Sequence, residues 1–104
     1  MIFSIVNLYL KKNLYMQKKR RKLNKDFEKK IYSSKKDVEL VLAKIYDIND
    51  EDIQKEYMAA FNRVVYLYDE LKQDYEKKGF NDNSDEVLNN YKNAFNLFES
   101  EFEI

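Results

Sequence analysis

Residues 50–78 read DEDIQKEYMAAFNRVVYLYDELKQDYEKK, and this stretch decides the fold. Ile53, Tyr57, Ala60, Phe61, Val64, Leu67, Tyr68, Leu71 and Tyr75 recur at spacings of three and four, the period of one helix face. Met58 and Val65 widen that face to roughly half the cylinder, beyond a single stripe of about 100°. A helix this apolar touches two neighbours, so it belongs at the centre of a bundle. Asn49 or Asp50 can cap its start, and Glu51 and Asp52 suit the positive end of the helix dipole. Lys77 and Lys78 suit the other end. Gly79 can take a left-handed turn, with Phe80 folding back on the last turn in a Schellman-type stop.

Downstream, Ser84 is a good N-cap, and Asn83 with Glu86 is an alternative. Val87, Tyr91, Ala94, Phe95, Phe98 and Phe102 then form one stripe, with Leu97 off it. Upstream, Ser34 can cap a short helix in which Val38, Val41, Leu42, Ile45 and Tyr46 share a face. Before it, Met16, Leu23, Phe27 and Ile31 fall on one stripe interrupted by Arg20, with Ile2, Ile5 and Tyr9 in phase. Helices are therefore expected at about 2–32, 35–47, 50–78 and 84–103, with Ser33-Ser34 a break or a kink. Links this short make successive helices antiparallel neighbours. The fold class is all-α: an antiparallel three- to four-helix bundle in a single domain.

Composition agrees. The chain has 104 residues, one Gly and no Pro, and is 44% hydrophobic and 15% aromatic. Helices avoid Gly and Pro, whereas turns and sheets lean on them. The length suits one domain with a modest core. The bias toward Lys, Asn, Tyr, Ile and Phe resembles an AT-rich coding style and would suit a phage or mobile-element product.

The absence of Cys and His removes thiolate and imidazole chemistry, disulfides and Cys/His zinc sites. Di-iron bundles need Glu-x-x-His pairs. Two loops superficially fit a calcium site. From Asp47, however, the sixth position is Asp52 and the twelfth Met58; from Asn81 the twelfth is Lys92. Neither meets the EF-hand requirement for Gly and Glu there. A single Gly cannot build a phosphate loop, and Ser33, Ser34, Ser84 and Ser100 have no base to activate them other than Lys. No cofactor, metal or small-molecule substrate is expected, and no enzyme.

The net charge of zero hides a split. Residues 1–36 carry twelve Lys/Arg against two acids, and residues 37–104 carry seven against seventeen. The sharpest feature is the run Lys18, Lys19, Arg20, Arg21 and Lys22, continued by Lys25, Lys29 and Lys30. On a helix it offers positive charge to phosphates or to an acidic partner. It can equally lie against acidic helices of the same chain or of a dimer mate. No DNA-reading motif accompanies it, since a bZIP would need leucine heptads directly after the basic segment.

Residues 2–10 are apolar but shorter than the roughly 20 residues that span a bilayer. Lys11 and Lys12 follow them rather than precede them, unlike a signal peptide. Apolar residues followed by Lys/Arg also resemble an interfacial anchor, but a first bundle helix has the same pattern and is commoner, so a membrane is disfavoured. Residues 1–15 form an N-terminal extension if Met16 is the true start. The cytoplasm is the expected compartment. Three apolar residues fall outside the stripes: Leu40, Tyr66 and Leu97. Exposed aromatic and aliphatic side chains of this kind favour a protein partner or self-association. The leading expectation is a protein–protein interaction module, a small regulator or inhibitor of a larger assembly. The alternative is a nucleic-acid-binding accessory protein, and a third is a bundle that only self-associates.

Overall fold

The computed structural model describes the backbone of residues 2–104 and the side chains of residues 22–104. It is all-α: helix α1 spans Ile2–Tyr46, α2 Glu51–Lys78 and α3 Ser84–Glu101. Among the described residues there is no strand.

The largest departure from expectation is in α1, which crosses residues 33–34 without a break. Ser34 does not cap a new helix. It is buried inside α1, and its hydroxyl donates to the Lys30 carbonyl at 2.8 Å. A serine bonded to the carbonyl four residues back has an outlet compatible with continued helix. The Tyr91 phenol of α3 donates to the Ser34 carbonyl at 3.2 Å, so the supposed break is held from outside as well. The expected helices at 2–32 and 35–47 are one element, and among the described residues the helices number three.

α2 starts as anticipated. Asp50 is extended (φ −79°, ψ 118°), and its carboxylate accepts from the Asp52 and Ile53 amides at 3.0 Å each. Such a cap stabilises by about 1 kcal/mol. Gln54 reaches across the turn, and its amide donates to the carbonyls of Ile45 and Tyr46 at 3.1 and 3.2 Å. It thereby satisfies the Tyr46 carbonyl at the end of α1 and shares the Ile45 carbonyl with the Ile48 amide, which donates to it at 3.1 Å.

The end of α2 differs from a Schellman stop. Gly79 has φ 66° but ψ −164°, an extended conformation that glycine alone enters without strain. A Cβ there would meet only the Asn24 Oδ1 at 3.7 Å, so the backbone angle, not crowding, requires glycine. Phe80 is carried across to α1 rather than back onto α2. Its amide donates to Asn24 Oδ1 at 3.0 Å, and its ring packs on Phe27 with centroids 5.4 Å apart. α1 passes the end of α2 and offers both an acceptor and an apolar surface. Nearby, the Tyr75 hydroxyl donates to Glu28 Oε1 at 2.7 Å.

Ser84 does not cap α3 either. The N-cap is Asn83, whose side chain makes no capping bond. The buried Ser84 hydroxyl accepts instead from the Asn81 amide at 2.8 Å, closing the loop on itself. The Asn81 amide side chain donates to Asp74 Oδ2 at 3.0 Å and ties that loop to α2.

The core is Phe27, Val38, Val41 and Ile45 from α1, Phe61, Val64, Tyr68 and Leu71 from α2, and Leu88, Tyr91 and Phe98 from α3. Leu88 was not on the expected stripe, which was set one residue early at Val87. Three expected core residues lie outside: Ile53 is 44% exposed, Tyr46 66% and Leu23 39%. Ile53 and Tyr46 flank the α1–α2 turn, and Leu23 lies beside the end of α2. At these helix ends the periodic pattern runs past the neighbour that could cover it.

Candidate functional site

α1 and α3 both pack on α2, yet among the described residues no Cα of α1 comes within 8 Å of one in α3. The space between them is an open groove of about 560 Å³. Val41 and Phe98 form its floor, Leu40 and Phe102 its walls, and Asp37, Glu99 and Glu103 its rim, with Lys44 the single cation there. Beyond Asp37, Phe95 and Glu99 it continues toward Ser33, Tyr91 and Lys30 as a smaller stretch of about 410 Å³.

The sequence builds this shape. α3 carries rings at 91, 95, 98 and 102, more apolar width than α2 alone can cover. Phe61 of α2 takes Phe98 (centroids 4.8 Å apart) and Phe95 (6.3 Å), and Tyr57 takes Phe102 (4.9 Å). Phe95 and Phe102 remain half-buried and face the groove as well.

Electrostatically the deep end is acidic. α3 closes on Glu99, Glu101 and Glu103 with no basic residue in its last turn. A helix C-terminus already carries partial negative charge, so these acids sit where cations would be favoured. The ion pairs among the described residues are Lys35–Glu39 at 3.9 Å and Lys78–Asp74 at 3.5 Å, and neither involves the rim. Burial, followed by the Asp37 charge, pushes the Tyr91 phenol up to about 12, so it stays a neutral hydrogen-bond donor at the groove floor. Burial and then its bond to Glu28 push Tyr75 up to about 12 as well.

The nominated apolar residues are exposed but do not gather. Leu40, 57% exposed, forms a groove wall. Leu97 on α3 is 56% exposed and Tyr66 on α2 61%, and neither lines the groove. Glu70, one turn on, raises the Tyr66 phenol by hydrogen bonding and then by its charge. Of the basic residues, Lys22, Lys25, Lys29 and Lys30 are exposed, and only Lys30 reaches the groove. Lys18, Lys19, Arg20 and Arg21 lie outside the described side chains, as do Met16 and the apolar residues of 2–10. From sequence Phe95 and Phe102 were placed on the core stripe of the last helix and the acids on solvated faces, and none was nominated as a binding residue. Their signal is acids alternating at the wrong end of a helix dipole, beside an over-wide aromatic stripe.

Among the described residues, no three His, Cys, Asp or Glu side chains gather to hold a metal, and no helix is long and apolar enough to cross a membrane. No protein-family model, curated protein or solved structure matches the chain.

Proposed function

We propose that this protein is a non-enzymatic interaction module of the cytoplasm, a small regulator or inhibitor of a larger assembly. In this reading it is a single-domain, antiparallel three-helix bundle that takes a helical segment of a protein partner into the groove between α1 and α3. The antiparallel reading is supported by paired positions: Ile45 beside Gln54 and Phe27 beside Phe80, Tyr57 beside Phe102 and Tyr68 beside Tyr91. The binding reading rests on one observation, an open apolar floor of Val41 and Phe98 under an acidic rim. Amphipathic helices dock in grooves of this kind through anchors three and four residues apart.

The chain has no cysteine, so a photo-crosslinker can be placed at single introduced thiols. Leu40→Cys carrying the crosslinker captures a protein partner in cells, whereas Tyr66→Cys does not. Equal capture at both positions, or capture only at Tyr66, rejects the groove.

A second reading, binding to nucleic-acid phosphates, is favoured by the exposure of Lys22, Lys25, Lys29 and Lys30, none of which is in an ion pair among the described residues. Fluorescence anisotropy with random DNA and RNA across a salt series separates the two. Tight binding that falls steeply with salt, and vanishes when residues 18–22 are neutralised, moves this reading to first place.

A further inference from the structure

We propose that the occupant of the groove is the first half of α1 from a second copy of this chain. The two copies exchange these segments reciprocally, so that each groove gains a fourth helix. This rests on the groove being a protein-binding surface and names the partner.

Four observations converge. First, residues 2–22 contain seven Lys/Arg and no acid, and open with the apolar run of residues 2–10. Apart from a stripe of Ser4, Asn7 and Lys11, this run is apolar over more than half of its helix, and an apolar face that wide needs cover. Second, α2 cannot supply that cover. Asn24 already meets Phe80 just past the end of α2, and α1 begins at Ile2, so about 33 Å of α1 precedes this contact at 1.5 Å per residue.

Third, the groove has the complementary chemistry: an apolar floor, and a rim of Asp37, Glu99 and Glu103 beside a negative helix end with no basic residue in its last turn. A cationic helix relieves that repulsion. Fourth, the chain cannot satisfy its own groove. Leu10 and Leu40 lie on one unbroken helix, about 45 Å apart along its axis, so its own basic end is held away from its acidic end. A second copy running the opposite way places residue 10 of each chain beside residue 40 of the other. Both grooves are then filled by one two-fold operation, giving a closed, isologous dimer rather than an open polymer.

The full-length chain is first weighed in solution by light scattering at low salt. The expected mass is twice 12.7 kDa. A monomer at about 100 µM, a concentration at which any dimer of micromolar Kd would be mostly formed, overturns the proposal. Leu10→Cys and Leu40→Cys chains are then mixed and oxidised. Disulfide-linked heterodimers between these two positions are expected to dominate over those from Leu10→Cys with Tyr66→Cys. The reverse preference overturns it. Reversing Glu99, Glu101 and Glu103 to Lys is expected to weaken the dimer by about 100-fold while helicity by circular dichroism stays at the wild-type level.

A monomer that sediments with anionic lipid vesicles would assign residues 2–22 to a membrane and overturn the exchange. A monomer that still captures another protein through position 40 would refute the exchange but leave the groove standing. No capture and no dimer would refute both.

Discussion

The two faces of α2 hold their neighbours by different means. Toward α3 the contact is a series of rings: Tyr57 on Phe102, Phe61 on Phe95 and Phe98, and Tyr68 on Tyr91. Toward α1 it is mostly aliphatic, through Val38, Val41 and Ile45, and is clasped at its two ends by polar bonds. Gln54 holds the Ile45 carbonyl at one end, and Asn24 holds the Phe80 amide at the other. Edge-to-face rings interlock along the whole length of a helix and contribute beyond the area they bury. Aliphatic contacts resist sliding less, so the ends fix the register. Both arms pack on α2 and are linked directly by the Tyr91 bond to the Ser34 carbonyl, with the groove left open beside it.

Breaking the ring face has the largest expected effect. Phe61→Asp puts an unpaired charge at a fully buried position and unfolds the protein, and a cooperative native-like melt would refute the placement of α2 at the centre. Phe61→Ala is milder, costing about 3–5 kcal/mol in urea denaturation.

The clasps come next. Asn24→Ala leaves the Phe80 amide without its partner and is expected to cost about 1–3 kcal/mol, with the aromatic near-ultraviolet signal of the α2–α3 face retained. Loss of both signals together would mean that the two faces are not independent.

Tyr91→Phe sharpens the comparison through pH. At neutral pH it removes the bond to the Ser34 carbonyl and costs about 0.5–1.5 kcal/mol. The folded-state pKa of Tyr91 is raised from 10.0 to about 12. The neutral phenol therefore favours the folded state, and this contribution is complete below pH 10 and lost as pH climbs through 12. Urea midpoints are expected to favour wild type over Tyr91→Phe at pH 8, and that advantage is expected to vanish between pH 10 and 12 and then reverse. The smallest effects belong to the surface: Tyr66→Ala and Leu97→Ala should each shift stability by no more than about 0.5 kcal/mol.

Much of the helix content was legible in the sequence because α2 carries an unbroken pattern of threes and fours with a cap at Asp50. Gly79 was legible as a stop, but the partner of Phe80 was not, because Asn24 is 56 residues away. Ser33-Ser34 misled for the same reason. Serine's preference for caps is a local statistic, while the competing bonds are an inward turn to Lys30 and a phenol on α3. Leu40, Tyr66 and Leu97 were readable as exposed from their position off the stripes. The groove was not readable, because it is defined by two helices whose backbones stay more than 8 Å apart, and no pattern within a single helix records that.

The separation of basic end from acidic groove depends on α1 being one rod, and a distance within it tests the account most directly. Lys22 and Lys44 are both exposed, and spin labels at Lys22→Cys and Lys44→Cys can be measured by pulsed electron resonance in a sample diluted with unlabelled chain. An unbroken helix places the two Cα atoms about 33 Å apart. A hairpin at Ser33-Ser34 would bring them to the spacing of packed helices, about 10 Å. The longer distance, narrowly distributed, is the expected result, and the shorter one would contradict the continuous α1 and the exchange built on it.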